Sequence, residues 1–240
     1  MDFKNFYRRN WFAIIYFNFK MLPFKQAIKL PFDFYYKVRF VELTGKVILK
    51  NNVQRGAIQI GRAGSDFLAK TESVISIKGN LIFNGPIFIG NGVTLEVNEG
   101  ATVEFGKSVR ITARTKIISQ EQITIKDNVG ISWESQIIDS NFHYIRNTKT
   151  GVIHKKSVPV VIGANCWIGN RVSIGKGTIL PDYSIVASNS LLTKSYSDFP
   201  EHSVFAGIPA KMIATDQERI IESLEPDLIT ELNQKFNSLV

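Results

Sequence analysis

Between residues 161 and 195 an aliphatic side chain returns at every sixth position, at Ile162, Ile168, Ile174, Leu180, Val186 and Leu192. Four residues after each of the first five stands a smaller one: Cys166, Val172, Thr178, Ser184 and Ser190. A helix repeats about every 3.6 residues and a strand about every second one, so a period of six fits neither. It describes one flat side and one tight corner of a parallel coil, with each hexapeptide forming one side of a triangular turn. Such a solenoid buries its aliphatic column by stacking turn on turn, and its outer faces stay free for chemistry.

The same beat runs, interrupted, through the middle of the chain. Ile89 and Leu95 are six apart, as are Val97 and Val103, then Phe105, Ile111 and Ile117, then Ile125, Ile131 and Ile137. The two-residue slips between these groups are expected to be extra residues at corners. Short aliphatic runs punctuated by glycine begin near residue 41. The expected organisation is an N-terminal cap over 1–44, an all-β solenoid domain over 45–213 with coils to about residue 195, and a C-terminal helical segment over 214–240. Between 140 and 160 the beat stops, and a loop of that length inside a compact domain is uncommon and often functional. Thr215 and Glu218 have the spacing of a capping box, and Pro226 suits the first turn of a further helix. These helices are expected to cover the last coil.

At 240 residues the chain suits one main domain. A single cysteine excludes an internal disulfide framework and fits a reducing compartment; Cys166, at a small inward position, reads as a buried hydrophobe. The net charge of +8 is scattered. No basic stripe accompanies a recognition motif, so a nucleic-acid partner is not expected, whereas an anionic small molecule accounts for a basic site equally well. Arg8, Arg9 and the run Trp11 to Phe17 begin like a leader peptide, but Asn18 and Lys20 interrupt it and no small-residue cleavage site follows. No run approaches the roughly 18 apolar residues of a membrane span, and a cytoplasmic protein is expected. Residues 1–40 mix Phe3, Phe6, Tyr7, Trp11, Phe12, Tyr16, Phe17 and Phe19 with lysine and arginine. They read as a cap on the first coil; peripheral contact with the inner face of a membrane is the other reading.

With WIGN at 167–170 ahead of the later repeats and AGIPAKMI at 206–213 after them, the chain resembles the left-handed β-helix hexapeptide acyltransferases. It is most similar to the branch that O-acetylates sugars and capsular or lipopolysaccharide glycans. The resemblance implies a left-handed parallel β-helix, acetyl-coenzyme A as cosubstrate with no metal, a carbohydrate acceptor, and a homotrimer whose active sites lie between subunits, each groove closed by a neighbour's loop.

The candidate base is His143, which follows IIDSNF where the coil gives way to the loop. An alcohol is a poor nucleophile until its proton is taken, and imidazole titrates near neutral pH. In the family a histidine in an Asp-x-Asp/Asn-x-His setting has that role, matched here by Asp139, Asn141 and His143. Asp139 and Asn141 could orient the imidazole or hold the acceptor sugar, or be ordinary turn residues; Glu134 is a weaker candidate for orienting His143. By resemblance the amide of Asn170 is the oxyanion donor and Trp167 stands beside it. Ser188, Thr193, Lys194 and Lys211 match positions that line the coenzyme A groove or meet its phosphates, with Gly207 and Pro209 at its border. The chain departs from the small-sugar enzymes in lacking an obvious N-terminal acidic match and in reading ITARTK at mid-coil, where Arg114, with Arg110, could favour an acidic or phosphorylated glycan or be a solvated corner residue. An N-acetyltransferase on an amino sugar and a non-enzymatic glycan-binding solenoid remain open. His143, His154 and His202 lack the repeat-phased pair of the zinc hydrolases that share this coil.

Overall fold

The computed structural model describes residues 9–51, 54–62, 69–221 and 224–237. Phe3, Phe6, Tyr7 and Arg8, part of the expected cap, lie outside the described residues. Three sheets of nine, seven and six strands wrap one core. Each coil contributes one strand to each: Ile87–Gly90, Thr94–Val97 and Thr102–Phe105 lie on the first, second and third faces of one coil. Pairing within the faces is parallel except at the end of the first.

The register stacks like on like. On the first face Ile60, Ile89, Ile111, Ile131, Ile168, Val186 and Phe205 form one column. On the second, Ile75, Leu95, Ile117, Ile137, Ile174 and Leu192 do the same, and all are buried. The six-residue beat is this core read along the chain, one face at a time. The smaller residues four positions on are buried at the corners, where Thr178 Oγ1 donates to the Gly175 carbonyl (2.8 Å) and Ser184 Oγ to the Pro181 carbonyl (2.8 Å). A small hydroxyl is favoured there because it fits the corner and satisfies a carbonyl that the ladder leaves unpaired. Cys166 donates to the same Pro181 carbonyl, and burial pushes its thiol up to about 12. It is a packing residue.

Tight corners bring one residue per turn into the left-handed region. Ser108, Asn128, Asn165, Tyr183 and His202 do so between the third and first faces, and Arg114, Glu134, Arg171 and Asn189 between the first and second, all at φ of 56° to 61°.

The two-residue slips lie in the strands, not at the corners as expected. Trp167 pairs with Ile185, 18 residues on, in the narrow late coils. Arg110 pairs with Gly130, 20 residues on, and Ile87 with Val109, 22 on. The added residues come in pairs because a strand lengthened by two keeps every side chain on its own face: Ser119 extends the second-face strand inward, and Val97 and Phe105 extend two faces of the preceding coil. The solenoid therefore narrows toward its C-terminal end.

Coiling begins earlier than expected, since Phe32–Phe34 and Val38–Leu43 are already strands of the first coil, paired with Ile58–Ile60 and Ser73–Ile77. The cap proper is α1 (Trp11–Met21) followed by the single turn α2 (Phe24–Ala27). Asn10 caps α1 by accepting from Ala13 N at 3.1 Å, and Ala13, Ile14 and Phe17 are buried. The Phe17 ring packs at 4.8, 5.1 and 5.4 Å from those of Phe32, Phe34 and Phe40. Asn18, an interruption in the apolar run, has a structural reason: its amide donates to the Phe32 carbonyl (3.0 Å) and its carbonyl accepts from Phe32 N (3.2 Å). It pairs the first strand edge, which a solenoid otherwise leaves open.

At the other end Val204–Gly207 turns back on Ala210–Ala214 as an antiparallel pair and closes the first face. Helix does not start at Thr215 as its spacing predicts; Thr215 Oγ1 bonds Asp216 instead, and the chain runs irregularly to Arg219, whose Nη2 donates to the Asn128 carbonyl at 2.8 Å. That long-range bond and the bare face of Gly130, where a Cβ would collide with the guanidinium, hold the segment out of helical geometry. Among the described C-terminal residues only α3 (Pro226–Asn237) is helical.

Candidate active site

The last narrowing of the solenoid falls where the loop leaves it. Asp139 stands directly above Ser119 in the register set by Ile118 and Ile138, at the last inward position before the coils narrow. Its carboxylate is fully buried and accepts from Ser119 Oγ (2.7 Å), Gln120 N (2.7 Å) and Glu121 N (3.0 Å). Both oxygens are thus committed to the corner below. No hydrogen bond joins Asp139 to His143 among the described residues, and of the readings open for Asp139 these contacts favour the residue that satisfies local backbone groups. Replacing Asp139 with alanine leaves the buried Ser119 hydroxyl and two part-buried amides without their acceptor. The unfolding free energy is expected to fall by about 2–4 kcal/mol, read as a lower urea midpoint. A variant as stable as the parent would return Asp139 to the imidazole.

Beyond Asp139 the loop is pinned at its base and projects freely. Asn141 N donates to the Lys156 carbonyl (3.0 Å), Val158 N to the Asp139 carbonyl (3.0 Å), and Ser157 Oγ to Ser140 Oγ (3.0 Å). From the next coil Lys176 Nζ donates to the carbonyls of Lys155 and Lys156, an anchor with no signature in the sequence. Ile145–Arg146 and Ile153–His154 pair as a small hairpin around Asn147 and Gly151. His143 enters this hairpin exposed, two residues past the pinned Asn141 and one past Phe142, which takes φ of 61°. Asn141 contributes its amide to the base, and its side chain is exposed. The loop carries exposed apolar surface at Tyr144, Ile145, Val152 and Ile153, with Tyr144 72% exposed.

The other candidates gather at a different corner, between the first and second faces. Trp167, 42% exposed, lies outward on the first face with Nε1 donating to Ser132 Oγ at 3.3 Å. Gly169 N and Arg171 N donate to the carbonyls of Val186 and Trp133, while the Asn170 N–H between them has no acceptor among the described residues. Ser188 Oγ on the next coil donates to Asn170 Oδ1 at 2.6 Å. A Cβ at position 169 would stand 2.7 Å from Ser188 N, so glycine permits this close approach of coils. Lys211 lies across from Ala206 in the closing hairpin, exposed, beside Gly207, whose N donates to Ser190 Oγ at 3.2 Å.

Arg114 and Glu134 sit on this corner too, away from His143. Arg114 Nη2 and Arg171 Nε meet the two Glu134 oxygens at 2.7 and 2.8 Å. The hydrogen bond from Arg171, with the charges of both arginines, holds the Glu134 carboxyl below its usual range against a desolvation penalty. Glu134 is a rung of an ion-pair ladder and does not reach His143. Arg114 and Arg171 share that single carboxylate, so the corner keeps a net positive charge.

Thr193 and Lys194 follow Leu191–Leu192 onto the corner between the second and third faces, the one from which the His143 loop springs. Gly175 on the coil between would set a Cβ 3.6 Å from Thr193 Cγ2, and Lys194 Nζ lies 5.6 Å from the centre of the Tyr196 ring. The candidates thus form two groups on two edges of one prism: His143, Thr193 and Lys194 on one, Trp167, Asn170, Ser188 and Lys211 on the other. One side of the coil separates Asn170 from Lys176, six steps along the chain with Ser173–Ile174 as its strand, at most roughly 20 Å at about 3.3 Å per residue. Among the described residues no cluster of three or more His, Cys, Asp or Glu could hold a metal, and no helix is long and apolar enough to cross a membrane.

This coil and its corner residues define the class of protein. The six-repeat pattern of bacterial hexapeptide transferases matches residues 159–194, and the chain belongs to that family, with the left-handed β-helix that marks it. Its relatives are acetyltransferases. The galactoside O-acetyltransferase of Escherichia coli K12 is 30% identical over 122 residues, covering 50% of this chain and 57% of that protein. WbbJ of the same organism, named for lipopolysaccharide biosynthesis O-acetyl transfer, is 29% identical over 143 residues, 56% of this chain and 71% of WbbJ. In fold, the chain matches the crystal structure of the polySia-specific acetyltransferase NeuO with a TM-score of 0.60 at 19% identity, over 80% of this chain and 79% of that one.

Proposed function

We propose that this protein transfers the acetyl group of acetyl-coenzyme A to a sugar hydroxyl of a surface polysaccharide or its precursor. The observation that carries the reading is the pinned extrusion loop, which offers an exposed imidazole with no hydrogen-bond partner among the described residues, beside a hexapeptide coil whose relatives are named O-acetyltransferases. His143 takes the proton of the acceptor hydroxyl as its oxygen adds to the thioester carbonyl carbon. The Asn170 amide faces the negative charge that develops on the carbonyl oxygen. As the carbon–sulfur bond breaks, His143 returns the proton to the departing sulfur. Trp167 and Ser188 line the groove beside that amide, and Thr193, Lys194 and Lys211 supply hydroxyl and point charges for phosphate. A reaction that consumes acetyl-coenzyme A belongs in the cytoplasm, and the reduced, buried Cys166 agrees with that.

The separation of the two residue groups supports assembly as a homotrimer. One copy's loop meets the Asn170 edge of the next, and three such heterologous contacts close a ring. The exposed Tyr144, Ile145, Val152 and Ile153 are the surface such a contact covers.

The direct test is free-thiol release from acetyl-coenzyme A across a panel of simple sugars and bacterial oligosaccharides. Acceptor-dependent release is expected. No release, together with no thermal shift on adding coenzyme A, leaves a glycan-binding solenoid without transferase activity.

A further inference from the structure

Helix α1 has two apolar faces, and the solenoid uses only one. Ala13, Ile14, Phe17 and Asn18 face the first coil and are buried. Phe12, Ile15, Tyr16 and Phe19 recur at the spacing of a single helical stripe on the opposite side, exposed by 80, 53, 44 and 47%. Phe24 of α2 (70% exposed) and Ile28 after it (55%) continue the surface. Its rings are associated with one another, Phe12 with Tyr16 and Phe19 with Phe24, both at 6.1 Å. Tyr16, at the edge of the stripe, also rests on the Phe40 ring of the first coil at 5.8 Å; capping the coil gives no reason for Phe12, Ile15, Phe19 and Phe24.

Among the described residues, the charge along the helices that carry this stripe has one sign. Lys20 and Lys25 are exposed along it, and residues 9–32 contain no aspartate or glutamate. Among the described residues the carboxylates nearest in sequence are otherwise engaged. Asp33 is buried against Arg9 at 2.9 Å, Glu42 accepts from Thr44, and Glu72 pairs with Arg39 at 3.2 Å. Phenylalanine and tyrosine flanked by lysine suit the boundary between headgroups and acyl chains, where the rings leave water and the ammonium groups meet anionic headgroups.

We propose that the outward face of α1 and α2 docks this protein on the surface of an anionic lipid bilayer, with the first coil toward the membrane. Docking needs no part of the acetyl-transfer reading. One consequence does rest on it: the candidate site, four to six coils away at about 4.8 Å per coil, stands roughly 20–30 Å above the headgroups. That height suits a glycan growing outward from a lipid carrier.

The test is co-sedimentation of the full chain with vesicles of phosphatidylglycerol and phosphatidylcholine, against vesicles of phosphatidylcholine alone. Binding is expected to the anionic vesicles and to weaken with added salt. The triple variant Phe12→Ser, Phe19→Ser, Phe24→Ser is expected to lower the partition coefficient by roughly 30-fold or more, and Lys20→Glu with Lys25→Glu by about 10-fold or more. Both variants leave the buried face of α1 intact, so circular dichroism and thiol release with a water-soluble acceptor are expected to be unchanged. The proposal is overturned by absence of vesicle binding in the parent chain, or by equal binding in the triple variant. It is equally overturned if the triple variant changes the oligomeric state by light scattering while the parent ignores vesicles, since the stripe would then be a contact between copies. Loss of thiol release with vesicle binding intact would strike the transferase reading alone.

Discussion

His143→Ala is expected to lower acetyl transfer to a sugar hydroxyl by roughly 10²–10⁴-fold, the usual contribution of a general base, with coenzyme A affinity and thermal stability nearly unchanged. The side chain is exposed and makes no packing or hydrogen-bond contribution among the described residues, so its removal touches chemistry without touching the fold. The loop's anchors, Ser140, Lys156, Val158 and Lys176, are all backbone or neighbouring groups that the substitution leaves in place. His154, exposed on the opposite strand of the same hairpin across from Ile145, provides the internal control, and His154→Ala should stay within about twofold of the parent. Single-turnover rates of the two variants decide it. If turnover in His143→Ala matched the parent, the imidazole would have no role in proton transfer. An amine acceptor would then become the better reading, since it needs less activation.

The core was legible in the sequence because a hexapeptide coil writes it out directly: Ile162, Ile168 and Ile174 are three faces of one turn, and period and burial coincide. The width of the coils was not, because an added pair such as Ser119 with its neighbour preserves alternation and leaves the same two-residue slip that a longer corner would leave. The role of Asp139 was left open between two readings for a related reason. A short motif places Asp, Asn and His in sequence but is silent on which faces inward, and only the 20-residue register of Ile117 with Ile137 puts Asp139 over Ser119. Glu134 and Arg114 belong to a corner ladder whose members lie 20 and 37 residues apart, spacings that become meaningful once the coil lengths are known. At Thr215 local spacing favoured a helix, and a tertiary bond from Arg219 to Asn128 prevailed. The cap was foreseen as a class of element, but its boundary was not, since the first two strands, FDF and VRFVEL, carry no hexapeptide beat.

The division of candidate residues between two edges has a consequence that mutants of one chain alone cannot reveal. If each site takes its base from the loop of one copy and its oxyanion donor from the Asn170 edge of the next, two differently inactivated chains can restore one another. His143→Ala removes the base and leaves the Asn170 edge whole. Ser188→Trp fills the space beside Asn170, where Ser188 Oγ now lies 2.6 Å from Asn170 Oδ1, and leaves the loop whole. Each pure variant is expected to be nearly inactive. Equal mixtures, unfolded and reassembled together, should regain about a quarter of parental turnover, because in random rings one junction in about four joins an intact loop to an intact edge. Recovery on that scale requires residues from two copies in each site. Mixtures no more active than the pure variants, in rings shown to have exchanged chains, would place both halves of the site within a single chain, and one side of the coil, at most roughly 20 Å, would then have to be spanned by movement of the loop alone.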